Sequence, residues 1–118
     1  MNTKEAIMAF SQSEKIKSGI IWASQMLELI RGTPEPEKQG AERVVKTLVD
    51  MIFQEIQLAG SVAPGEAWED IEKNIDQAVA MINSHVAPES VVHLTQALSQ
   101  VTTIGQRSMS FLQEQGLI

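Results

Sequence analysis

Three clusters of proline and glycine cut this chain into segments, and no segment between them contains a proline. Arg31-Gly32-Thr33-Pro34-Glu35-Pro36 joins a helix-ending glycine to two prolines that cannot continue a helix. Gly60-Ser61-Val62-Ala63-Pro64-Gly65 does the same. Ala87-Pro88-Glu89-Ser90 places a proline where a new helix can begin, with Glu89 favourable to its dipole. The segments themselves are rich in Ala, Leu, Met, Glu, Gln and Lys, which are helix formers. Tyrosine is absent, strict alternation is absent, and no dipeptide reads as a hairpin turn. The pattern predicts four helices, roughly 12–31, 37–60, 65–86 and 88–115. Short connections force sequential helices to run antiparallel, so the expected fold is all-α, an antiparallel up-down-up-down four-helix bundle.

The first ten residues read differently. Ala6, Ile7 and Phe10 form a small apolar face out of phase with the stripe that follows, and Ser11-Gln12-Ser13-Glu14 has capping-box spacing. This predicts a short extra N-terminal helix with a break near Ser11.

At 118 residues and 13.0 kDa the chain is expected to be a single domain spanning residues 1–118, with one modest core. Zero cysteines exclude disulfides, thiolate chemistry and cysteine-based metal centres. A formal net charge of −6 argues against a nucleic-acid partner, whose phosphates need a basic stripe. No apolar run approaches the roughly 20 residues that span a bilayer, and no basic-then-apolar leader opens the chain. The expectation is a soluble, cytoplasmic protein without membrane attachment.

Helical faces say more. On helix 3, Trp68, Ile71, Ile75, Ala78, Val79, Ile82 and Val86 fill an arc of about 120°, as one core-facing side should. The apolar arc of helix 1 covers about 180°, with a second stripe of Gly19, Trp22, Met26 and Leu29 beside the first. Helix 2 reaches about 220°, through residues that include Val49 and Phe53. A monomeric bundle needs less, so the surplus predicts a partner. Trp22, Met26, Leu29, Val49 and Phe53 are the expected interaction residues of a homodimer. Most methionines are assigned to core filling. Helix 4 adds an outer side of Thr95, Gln96, Ser99, Gln100, Thr102, Thr103, Gln106 and Ser110, where Arg107 is the only ionised residue between Ser90 and Gln113. Such depletion of charge resembles an interface composition, and a second protein partner is expected there.

Charge is lopsided: residues 1–46 balance to +1 and residues 47–118 to −7. Glu66, Glu69 and Asp70 at the start of helix 3 complement its dipole, or else face a basic patch from Lys15, Lys17 or Lys38.

Few residues suggest chemistry. Glu55 lies within the apolar arc of helix 2, so its carboxylate must be paired, hydrogen-bonded or protonated. Pairing with a serine, a threonine or Arg107 is the structural reading; an acid–base or metal-binding carboxylate is the functional one. His85, Glu89 and His93 are spaced four and four, a candidate set for a divalent metal or a pH-sensitive cluster. Glu-x-x-His pairs, His-Glu-x-x-His, glycine-rich phosphate loops and the Gly-x-Ser-x-Gly elbow are all absent.

His93-Leu94-Thr95-Gln96-Ala97 resembles, in its histidine alone, the reactive motif of histidine-containing phosphotransfer domains, which are bundles of about this size. That family follows its histidine with lysine at the third position and glycine at the fourth; here Gln96 and Ala97 stand instead. The cation that would steady a phosphoryl group is missing. The sequence therefore predicts a non-enzymatic interaction protein without cofactor: an adaptor, regulator or chaperone-like module. The alternative is a bundle carrying a metal, phosphate or small-ligand site around Glu55 or His85, Glu89 and His93.

Overall fold

The computed structural model describes residues 1–118. Its helices are α1 (Thr3–Arg31), α2 (Glu37–Val62), α3 (Trp68–Asn83) and α4 (Val91–Glu114), with a 3₁₀ turn at Ala87–Ser90. They form the expected all-α four-helix bundle, a rod of 53 × 21 × 18 Å. Around the rod α1 packs on α2 and α4, and α3 packs on the same two helices from the opposite corner.

Each helix buries one narrow seam whose residues step alternately by three and four. On α1 the seam is Ala6, Ala9, Ser13, Ile16, Ile20, Ala23, Leu27 and Ile30, and on α2 it is Val45, Val49, Ile52, Ile56, Ala59 and Ala63. Trp68, Ile71, Ile75, Ala78 and Ile82 continue it on α3, and Leu94, Ala97, Val101, Ile104 and Ser108 on α4. The mean step of 3.5 residues keeps one edge of a long helix facing inward over its whole length.

That seam overturns the expected break near Ser11. One helix runs unbroken from Thr3, capped by Asn2, whose Oδ1 accepts from the Glu5 amide at 2.8 Å. The Ser13 hydroxyl donates to the Ala9 carbonyl at 2.6 Å, inside the helix, and Glu14 pairs with Lys17. The true inward line passes through the small residues Ala6, Ala9 and Ser13, while Ile7 is exposed. Small side chains suit the place: a Cβ built on Gly105 of α4 would stand 3.4 Å from Ser13 Cβ.

Helix α3 is shorter than the sequence suggests. At its start Glu66 stays in the loop and is drawn towards Arg107 of α4, with Oε2 3.0 Å from Nη1. Trp68 Nε1 donates to the Ala63 carbonyl at 2.9 Å, closing the α2–α3 turn. At its end the His85 amide bonds the Ile82 carbonyl and the Val86 amide reaches back to Met81. This is a Schellman turn, and it places His85 at φ +64°, where glycine is the usual occupant. Gly116 fills the equivalent position after α4, at φ +71°.

Of the acidic residues assigned to the start of α3, Glu69 and Asp70 lie in its first turn. The basic patch does not form. Lys15 pairs with Glu55, Lys17 with Glu14 and Lys38 with Glu35.

Candidate interaction face

The contact between α1 and α2 is fixed at two levels. A Cβ built on Gly19 would stand 3.1 Å from Ile52 Cγ1, so glycine lets the two helices approach there. Two turns back along α1, Gln12 Nε2 donates to Glu55 at both its backbone carbonyl (3.3 Å) and Oε2 (3.2 Å). Lys15 Nζ lies 3.0 Å from Glu55 Oε1. Antiparallel stepping by threes and fours from these contacts puts Trp22, Met26 and Leu29 of α1 on the flank shared with Val44, Leu48 and Met51 of α2.

This flank is apolar and open. Leu29 is 74% exposed, Val44 64%, Trp22 58% and Met51 55%. From Met8 to Leu29 and from Ala41 to Val62, the only charged side chains on it are Lys15 and Glu55, which neutralise each other. Met51 belongs to this surface and is not core filling.

Two expected interaction residues do not. Val49 is fully buried in the central seam. Phe53 is half-buried, packed against the core on the side of α2 that turns towards α3. The wide apolar arc of α2 is thus two surfaces: a buried seam and an exposed flank carrying Val44, Met51 and Leu58. Separating them requires the three-four step, which an arc width conceals.

Glu55 sits on the rim of this face with its side chain 30% exposed. Hydrogen bonds from Lys15 and Gln12 hold its carboxyl below the ordinary value, against a smaller opposing effect of burial. Neither Arg107 nor a hydroxyl serves as its partner. Glu55→Gln is expected to cost less than about 1 kcal/mol at neutral pH, as partly exposed pairs do. The lowered folded-state value means this contribution is present above the unfolded value of about 4.3 and lost as pH falls through the folded one. Urea midpoints of both proteins at neutral and strongly acid pH check this. A gap that stays constant with pH would show that Lys15 and Gln12 do not act on the ionised form.

The histidine set does not converge, and no three potential ligands come together anywhere in the structure. His85 turns towards Glu42 of α2, with Nδ1 3.6 Å from Oε2. Glu89 is exposed on the 3₁₀ turn, and His93 is half-buried with Nδ1 sealed from solvent and unpartnered. Six of the eight residues of the outer row of α4 stand in the open, Thr95, Gln96, Ser99, Thr103, Gln106 and Ser110, while Thr102 is half-buried and Gln100 turns to α3, accepting from Asn74 at 2.9 Å. Thr95 and Thr103 donate their hydroxyl protons to carbonyls of their own helix. No helix is long and apolar enough to cross a membrane. No protein-family model, curated protein or solved structure matches the chain.

Proposed function

We propose that this protein is a small non-enzymatic interaction module of the cytoplasm that works as a homodimer through the α1/α2 flank. The observation that carries the proposal is the row of exposed apolar side chains from Leu29 to Met51, bounded by a neutralised ion pair. Contiguous apolar surface of this kind, on a helix pair with a rigid core behind it, suits a protein partner. A second copy suits it best. Two chains of net charge −6 repel overall, and this flank, whose only two charges pair with each other, adds little to that repulsion. A two-fold axis through the antiparallel pair would lay Trp22, Met26 and Val44 against their own counterparts. The uncharged outer row of α4 stays free for a second protein, which fits an adaptor, regulator or chaperone-like role.

Light scattering over a concentration series is the direct test. The expected solution mass is twice the chain's 13.0 kDa, and Trp22→Glu should return it to the monomer value while the chain stays folded. A wild-type monomer at every concentration would overturn the reading.

A further inference from the structure

A cleft lies away from the apolar flank, between the first turns of α2 and the end of α3. It encloses about 450 Å³, and six of its seven lining residues are polar or charged. Ile82 is the one apolar wall. Three of its residues bear on what it could hold.

Glu42 is the first. It occupies the start of the α2 seam, three residues before Val45, and is 8% exposed. Its carboxylate oxygens open onto the cleft, where a ligand can reach them. Glu42 accepts no hydrogen bond from any protein donor, and the His85 imidazole stands at 3.6 Å, beyond bonding distance. Arg43 is the second. Seven of the nine Lys and Arg side chains lie within ion-pair distance of a carboxylate, and Arg43 is not among them. Its guanidinium lines the cleft beside Lys46, whose contact with Asp50 is a loose 3.8 Å. His85 is the third. Its left-handed backbone, set by the Schellman turn that ends α3, holds the ring at the mouth beside Glu42.

The charges select the ligand. A simple anion would meet the Glu42 carboxylate, and a simple cation would meet Arg43 and Lys46. A molecule carrying both signs satisfies each. We propose that this cleft binds a small zwitterion of the amino-acid class, its ammonium donating to Glu42 and its carboxylate received by Arg43 and Lys46. The C-terminal end of α3 beside Glu42 adds negative potential on the ammonium side. Gln39 and Asn83 supply neutral donors and acceptors between the two poles. The volume falls in the range of small-molecule sites and admits a single amino acid with its side chain.

Nuclear magnetic resonance titration of the isotopically labelled full chain tests this whether or not the protein dimerises. The probes are the twenty amino acids, with acetate and methylammonium as single-charge controls, all at millimolar concentration. The expected result is saturable amide shifts confined to residues 39–46 and 82–85 for at least one amino acid, with both controls at least about tenfold weaker. Glu42→Gln and Arg43→Ala should each abolish the shifts while keeping the folded spectrum. His85→Gly should weaken binding and raise the melting temperature, because glycine relieves the left-handed turn. The proposal is overturned if no amino acid gives saturable shifts, if Glu42→Gln binds as well as the parent, or if acetate matches the best amino acid, which would make this a plain anion site.

Discussion

Val49→Asp is expected to leave the protein unfolded at room temperature. The side chain is fully buried in the α2 seam, between the turns that carry Val45 and Ile52. Removing the valine forfeits about 1.5–3 kcal/mol of apolar burial. The carboxylate that replaces it must either be protonated or drag water into the bundle, for a total of about 4 kcal/mol or more. A domain of this size has only about 5–15 kcal/mol to lose, and the seam runs as a continuous line that local rearrangement cannot bypass. The same substitution at Val44, 64% exposed on the neighbouring flank, should leave the chain folded, lowering the melting temperature only by what the dimer contributes, and act on solution mass instead. Circular dichroism melts of the two variants separate core from interface. A folded Val49→Asp with altered mass would return that residue to the interface and discredit the seam.

The second large effect is expected at Arg107. Its partner Glu66 has a side chain only 5% exposed, and Oε2 sits 3.0 Å from Nη1, close enough for an ion pair but off the line of a hydrogen bond. Arg107→Ala strands that carboxylate, and breaking one side of a buried pair is far costlier than never having the pair. Because Arg107 itself is 59% exposed, the expected loss is about 1–3 kcal/mol, towards the lower end of such cases. Adding Glu66→Gln should recover most of it, since the stranded charge is then gone. Urea midpoints for the parent, both single variants and the double variant give the coupling directly. If Arg107→Ala were neutral, Glu66 would be solvated, and the one charge on the body of α4 would have no structural task.

These two sites mark what could be read in advance. Val49 and Trp22 both fell within apolar arcs, and hydrophobicity alone made them look equivalent. Arg107 stood out as the lone ionised residue of its helix, and Glu66 as one acidic residue among three, yet nothing local joined residues 41 positions apart. Glu55 was conspicuous as a carboxylate in an apolar arc. Its partners Lys15 and Gln12 were not, because identifying them requires the register between α1 and α2. The cleft around Glu42 was invisible for the same reason. Glu42 is unremarkable in sequence, and His85 stood out only beside Glu89 and His93, so nothing local paired the two.

The sequence by itself determined that this chain is helical, where its helices turn and that they must run antiparallel. Those are local consequences of proline, glycine and side-chain periodicity, which act over a few residues. It could not determine that α1 is continuous through Ser13, since a polar residue in a seam of small ones reads as an interruption until a glycine on α4 is found against it. Nor could it assign apolar residues to the interior or the surface of a wide arc. That choice belongs to the tertiary structure, because burial is decided by which helix lies opposite, and opposition is a property of the assembled bundle.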